Sequence, residues 1–152
     1  MIDHKGAVNT IFDVNERFGV SGKDRIFGLS NLNFDLSVYD LFGAFAAGAA
    51  VVLPEPTALK EPGRWLQHLH AHKVSIWNSV PALMQMLVEH LGRNGGDERL
   101  PDSMRLVLMS GDWIPLELPA TIGDFGSNIR VISMGGATES SIWYILYEVG
   151  KV

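Results

Sequence analysis

What most constrains the fold of this chain is an alternation. Short apolar runs that read as strands recur between helical patterns of roughly ten to fifteen residues, the signature of βαβ units. Asp3 can cap a helix through Phe18, where Val8, Ile11, Phe12, Val14 and Phe18 form an apolar stripe that Gly19 and Gly22 end. Asp24-Arg25-Ile26-Phe27-Gly28-Leu29 reads as a strand and Leu36 to Ala47 as a helix. Ala49 to Leu53 reads as a buried strand stopped by Pro54 and Pro56, followed by an amphipathic helix from Pro62 to His72. Val74 to Trp77 is the next strand and Pro81 to Leu91 the next helix, and Asn94-Gly95-Gly96-Asp97-Glu98 is a solvated loop. Met104 to Met109 and Ile129 to Ile132 are strands flanking a helix from Leu116 to Phe125. Ile142 to Glu148 reads as a last strand, antiparallel and at an edge. The expected architecture is a doubly wound, mostly parallel α/β sheet with helices on both faces, in three α/β/α layers.

At 152 residues, 47% hydrophobic, the chain suffices for one domain with a core and is too short for two. A net charge of -5 argues against a nucleic-acid partner, which needs a Lys/Arg surface. The absence of cysteine removes disulfide and thiolate chemistry and fits a reducing compartment. The apolar run from Leu41 to Pro54 is broken by Gly43, Gly48 and Pro54 and is shorter than the roughly 20 residues that span a bilayer. It reads as core, and the N-terminus has no signal pattern, so a cytoplasmic location with no membrane partner is expected. The chain opens almost inside a helix and stops directly after a strand, which suggests a piece, 1–152, of a larger protein.

In doubly wound sheets, ligands sit beyond the carboxyl ends of the strands. The loops to search are therefore Ser30–Asp35, Asn78–Pro81, Ser110–Trp113 and Ser133–Ser141. The last of these carries Gly135, Gly136, Ala137, Thr138 and Glu139 directly after a strand. Glycines let backbone N–H groups approach a ligand, and a hydroxyl beside a carboxylate suits a phosphate and its Mg2+. Asp35 stands where it can cap the following helix, with Tyr39 one turn later on its face, or pair with a ligand ammonium. Asn78, Leu108, Ser110, Met134, Ile142 and Trp143 all lie at or just past strand ends. Leu108, Met134 and Ile142 read in isolation as core, whereas Asn78 and Ser110 end buried strands and need polar partners.

Phe34-Asp35-Leu36-Ser37 together with Gly136-Ala137-Thr138-Glu139, with the βα pattern between them, resembles the adenylation domain of a nonribosomal peptide synthetase. That family belongs to the adenylate-forming superfamily. Met1-Ile2-Asp3-His4-Lys5-Gly6-Ala7 is similar to the segment after its phosphate loop, so the resemblance covers essentially the whole chain. It implies the flavodoxin-like central subdomain of an enzyme that joins an amino-acid carboxylate to the α-phosphate of ATP. The aminoacyl group then passes to a phosphopantetheine thiol on a carrier domain. By position, Asp35 resembles the partner of the substrate ammonium, Thr138 a phosphate-contacting hydroxyl and Glu139 the Mg2+-binding carboxylate. Gly111 and Asp112 resemble the loop along the adenine.

The same resemblance implies a side-chain pocket of Asp35, Leu36, Tyr39, Asn78, Leu108, Ser110, Met134, Ile142 and Trp143, similar to the family's cysteine-selecting set. Closure by Tyr39, Ile142 and Trp143 leaves room for a short side chain, and Ser110 with Asn78 offers modest polarity. Serine is the nearest competitor. Most relatives carry an aromatic residue where Gly135 stands and a proline where Ala137 stands. The Gly-Gly-Ala-Thr-Glu variant resembles synthetases that make thiazoline rings from cysteine. The family's phosphate loop, ribose-binding aspartate, hinge and C-terminal catalytic lysine are not in this sequence, and Lys151 lacks the lysine's surrounding motif. The isolated chain is therefore expected to be inactive. Its expected partners are the remaining adenylation subdomains, a carrier domain, a condensation or cyclisation domain and an MbtH-like protein. The competing reading is a stand-alone flavodoxin-like nucleotide-binding or interaction module, for which Leu29-Ser30-Asn31-Leu32 supplies no phosphate-binding glycine fingerprint.

Overall fold

A computed structural model describes residues 2–58, 60–93 and 98–150. The Asp3 carboxylate accepts from the Gly6 N–H at 2.8 Å and starts α1 (His4–Phe18), and Gly19, at φ 57°, ends it in the left-handed conformation that favours glycine. Then follow β1 (Arg25–Phe27), α2 (Leu36–Val38), a π-helical turn (Tyr39–Gly43) and α3 (Ala44–Ala47), the last three forming one helical run. The chain continues through β2 (Ala50–Val52), α4 (Pro62–Ala71), β3 (Ile76–Ser79), α5 (Pro81–Arg93) and β4 (Leu106–Met109). It ends with α6 (Leu118–Phe125), β5 (Arg130–Gly135), a 3-10 turn (Thr138–Ser140) and β6 (Ile145–Val149).

Among the described residues the strands form one sheet in the order β2-β1-β3-β4-β5-β6. All neighbours are parallel except β5 and β6, which are antiparallel. The expected doubly wound α/β fold is therefore present. The chain leaves β1 toward β2 on one side and returns to β3 on the other, which places the topological switch between β1 and β3. Side chains alternate across the pleat. Phe27, Trp77, Val107, Met109 and Val131 face Trp65, Leu69, Met84, Leu87 and Ile122 of α4, α5 and α6. Ile26, Ile76, Leu106, Leu108, Ile132 and Met134 face α1 and the α2–α3 run through Ile11, Val14, Phe18 and Tyr39.

Several expected details differ. The strand read as buried, β2, is the sheet's edge and only half covered. Val8 and Phe12 of the α1 stripe are 47% and 57% exposed, so α1 buries a narrower face than its apolar content suggests. β3 runs on through Asn78 and Ser79, and β5 through Gly135, because β4 and β6 continue to offer hydrogen-bond partners there. β6 begins at Ile145 rather than Ile142. Asn94 to Asp97 of the expected solvated loop, and Lys151, lie outside the described residues. No helix among the described residues is long and apolar enough to cross a membrane.

At the opposite edge from the site loops, Asp24 clamps α1, β1, β3 and β4. Its carboxylate accepts from Arg105 Nε and Nη2 (2.9 and 2.8 Å), the Ser21 N–H (2.9 Å) and the Ser75 hydroxyl (2.8 Å). Arg105 also donates to the Phe18 carbonyl. Burial alone would push the Asp24 carboxyl up, but the bonds from Arg105, Ser21 and Ser75 outweigh it and hold it below the usual range. Because Arg105 is itself one-third exposed, Asp24→Asn is expected to lose about 2 kcal/mol in urea unfolding at neutral pH. A depressed folded-state value gives stability that is present above the ordinary carboxylate range and lost as pH falls. The deficit of the variant should therefore shrink below roughly pH 4.

Candidate functional site

The parallel register sets the carboxyl ends of β3, β4 and β5 side by side, with Ser79 beside Met109 and Met109 beside Ser133. Beyond that edge is a cavity of about 170 Å3. Phe34 and Asp35 line it from the β1–α2 connection and Leu36 from the start of α2, with Ser110 and Gly111 from just past the end of β4. Gly136, Ala137, Thr138, Ile142 and Trp143 line it from the β5–β6 connection. A larger cleft of about 750 Å3 lies at the far end of β5, between Ile129–Val131 and Tyr147–Gly150, and contains none of the expected site residues.

The inner wall is built by a backbone corner. Ser141 and Ile142 sit at φ 63° and 73°, a left-handed pair that is unfavourable for a β-branched residue. The corner turns Ile142 and Trp143 inward, where they are 8% and 5% exposed. It also brings the Ile142 carbonyl so close to Gly136 that a Cβ there would collide with it. The Trp143 indole N–H donates to Ser110 Oγ at 2.9 Å, and its ring meets Tyr39 edge to face at 5.5 Å. Gly111, at φ 85°, passes close to Phe34 and Val80.

Asp35 does not cap its helix. Its backbone is already helical, and its side chain makes no capping bond. The carboxylate instead accepts from the Thr138 hydroxyl at 2.5 Å, which ties the β1–α2 loop to the β5–β6 loop. The two residues expected at opposite ends of the reacting pair therefore touch across the cavity mouth.

Tyr39, Asn78, Leu108 and Met134 do not line this cavity; they are buried directly behind it on the same face of the sheet. Tyr39 turns its hydroxyl away, donating to Asn15 Oδ1 at 2.9 Å, while Asn15 Nδ2 donates to the Gly43 carbonyl. Burial, then the neighbouring Asp40, pushes the Tyr39 hydroxyl further up. Asn78 was expected to offer polarity to the pocket. Its Nδ2 is instead committed to Asp40 Oδ1 at 2.8 Å and to the Leu36 carbonyl at 3.4 Å. Asp40 itself was not singled out by sequence reasoning. The signal was there: a lone carboxylate among Val38, Tyr39, Leu41 and Phe42 has no solvent-facing apolar pattern to belong to.

On the side expected to meet nucleotide, Gly136, Ala137 and Thr138 line the cavity, while Gly135 is a strand residue paired with Ile145. Asp112 and Glu139 are exposed and outside the lining. Asp112 accepts from the Trp113 N–H at 2.7 Å. No group of three His, Cys, Asp or Glu side chains that could hold a metal exists among the described residues. Among those residues, Glu139, next to Thr138, is exposed and carries no hydrogen bond to the cavity lining that would occupy its carboxylate oxygens.

Comparison with known proteins agrees with the fold. A family model described as AMP-binding enzyme matches residues 1–151. The chain belongs to the AMP-binding enzyme family. Its relatives place it with adenylation domains of nonribosomal peptide synthetases. It is 48% identical over 145 residues to pyochelin synthetase PchF of Pseudomonas aeruginosa, covering 95% of this chain and 8% of that protein. It is 47% identical over 155 residues to bacitracin synthase 1 of Bacillus licheniformis, covering 99% of this chain and 3% of that one. The crystal structure of the nonribosomal peptide synthetase FmoA3 (S1046A) superposes with a TM-score of 0.92 at 40% identity, covering 99% of this chain and 16% of that one. The chain thus spans only a small fraction of the proteins it matches.

Gly136→Ala is expected to displace the Ile142 corner and free the Trp143 indole N–H from Ser110, read by NMR as faster hydrogen exchange of that group. Gly135→Ala, whose Cβ would meet Ile145 at an ordinary 3.4 Å, should leave it protected.

Proposed function

We propose that this chain is the amino-acid-pocket subdomain of a nonribosomal peptide synthetase adenylation domain that activates L-cysteine as the aminoacyl-AMP. The observation that carries the reading is the Thr138–Asp35 contact at the mouth of a cavity of about 170 Å3. Asp35 is the group to receive the substrate ammonium, and Thr138 the group to receive a phosphate oxygen. With both groups so held, the substrate carboxylate would lie against the α-phosphorus, so that its oxygen attacks and pyrophosphate leaves. Mg2+, held by Glu139 and phosphate oxygens, would neutralise charge on the nucleotide. Ser110 already accepts from Trp143, and its own O–H remains available to a small polar side chain at the pocket floor. Ile142 and Trp143 limit that side chain's length.

Two ligand-bound forms of one solved relative support the nucleotide half. One form of FmoA3 (S1046A) is bound to AMPPNP and another to alpha-methyl-L-serine-AMP. The second ligand gives serine, rather than cysteine, a specific claim on the same pocket, and the two differ in one side-chain atom. The aminoacyl group would pass to a phosphopantetheine thiol of a carrier domain, alongside condensation or cyclisation domains and with an MbtH-like protein as a further partner. Residues 1–152 would form one subdomain of the complete enzyme, which would be cytoplasmic.

Amino-acid-dependent ATP–pyrophosphate exchange by the complete enzyme tests this across the proteinogenic amino acids. Cysteine should give the highest kcat/KM and serine the next, and a large apolar or charged substrate in first place would sink the assignment. Asp35→Ala should lower kcat/KM for every amino acid by about 10²-fold or more. Ser110→Ala should instead change the cysteine-to-serine ratio by about tenfold. The 152-residue chain alone should give no exchange.

A further inference from the structure

Among the described residues, Asp40 Oδ2 and Asn78 Oδ1 are buried side-chain atoms with no hydrogen-bond partner. Both residues are 1% exposed. They already meet through the bond from Asn78 Nδ2 to Asp40 Oδ1 at 2.8 Å, and each unpartnered oxygen shares its carbon with an atom of that bond. If Asp40 were ionised, two buried acceptors on the two bonded side chains would have nothing to accept, a costly arrangement. Turning the Asn78 amide over does not help. Its oxygen would then oppose both Asp40 Oδ1 and the Leu36 carbonyl, exchanging two donations for two acceptor–acceptor contacts.

We propose that Asp40 is carried as the neutral carboxylic acid, its Oδ2–H donating to Asn78 Oδ1. The resulting acid–amide ring makes Asp40 a positioning residue for Asn78 and, through Asn78, for Leu36. One proton satisfies both orphaned oxygens and locks the amide in the orientation that reaches the Leu36 carbonyl. Leu36 lines the cavity, so the ring sets the depth of its wall. The consequence for substrate rests on the proposed amino-acid pocket; the protonation state does not.

The surroundings agree. Burial pushes the Asp40 carboxyl up to about 7, opposed only by the Asn78 bond. α1 presents Asn15 to the π-helical turn, β3 presents Asn78, and the turn itself presents the Tyr39 hydroxyl. The charges felt nearby, Asp24 and Arg105, are paired with each other and act on Tyr39. The π-helical turn supplies the geometry, because its wider winding lets Tyr39 and Asp40 both point inward, one to α1 and the other to β3.

Difference infrared spectroscopy of the complete enzyme, unaltered against Asp40→Asn, reads the proton directly. The expected result is a neutral-acid carbonyl band at about pH 5.5 that titrates away with a midpoint of about 7 and is missing from the variant. A carboxylate band already present at about pH 5.5 would overturn the proposal. A raised folded-state value means that the stabilisation is present at low pH and lost as pH rises toward 7. The Tm of Asp40→Asn relative to the unaltered protein should accordingly climb by roughly 5 °C from pH 4 to pH 8; a difference that is flat or falling with pH counts against it. In pyrophosphate exchange, Asp40→Asn, whose amide can close the same ring, should keep the KM for the preferred amino acid within about twofold. Asp40→Ala should raise that KM about tenfold with kcat little changed. Equal losses in both variants would show that the negative charge is what matters and would refute the ring. If the unaltered enzyme shows no amino-acid-dependent exchange, the proposed function fails, and the infrared titration alone decides the inference.

Discussion

Parallel strands in register must end at one edge, and everything at the candidate site depends on that constraint. Asn78, Leu108 and Ile132 lie level across β3, β4 and β5, so the residues just beyond them emerge as neighbours although the chain between them is long. Ser110 needs no further device to reach the cavity. Asp35 arrives from β1, on the other side of the switch point, and the Thr138 hydroxyl is what draws its loop toward β5. The antiparallel β6 then closes the wall. Its return requires the left-handed pair Ser141 and Ile142, a strain of about 1–3 kcal/mol for each such residue. Burying the Ile142 and Trp143 side chains returns about as much, at roughly 2 kcal/mol each. The corner therefore persists because of what it buries, and Gly136 is the residue that lets the backbone come close enough.

Buried polar groups in this protein fall into two kinds. Several are closed systems: Asp24 with Arg105, Ser21 and Ser75, and Tyr39 with Asn15 and the Gly43 carbonyl. Such networks rigidify a core because each member would lose a partner if it moved. The pair of Asp40 and Asn78 is closed only when a proton is added. It sits directly behind the cavity, where a small shift of Leu36 would alter the space available.

The alternation of apolar runs and helical patterns was enough to read the doubly wound sheet, the Asp3 cap, the Gly19 stop and an antiparallel last strand, since these are local consequences of period and turn chemistry. Strand ends were less legible. Whether Asn78 or Met134 belongs to a strand or a loop depends on how far the neighbouring strand extends, which no local pattern records. Asp35 read equally well as a cap or a ligand group, and it is Thr138, 103 residues away, that donates to its carboxylate in place of a capping bond. Asp40 was overlooked because its importance lies in a π-helical turn, where helical spacing misplaces a side chain's direction.

The position of Asn78 changes how selectivity at such a site must be understood. With Asn78 bonded to Asp40 and to the backbone of Leu36, the polarity that meets a ligand side chain reduces to Ser110. A single hydroxyl, held as an acceptor by Trp143, can offer its own proton to a thiol sulfur or a hydroxyl oxygen. The oxygen accepts more strongly but is also better hydrated outside, so the net preference is held to about tenfold, too little to select one amino acid. On the proposed amino-acid pocket, discrimination between cysteine and serine then cannot come from hydrogen bonding at Ser110 alone. It must come from fit, because sulfur is larger and more polarisable and gains more from close contact with the Trp143 and Ile142 walls. A wall held rigidly is what makes that difference count, and Leu36, Ile142 and Trp143 are held by an amide ring, a strained corner and an indole hydrogen bond, respectively.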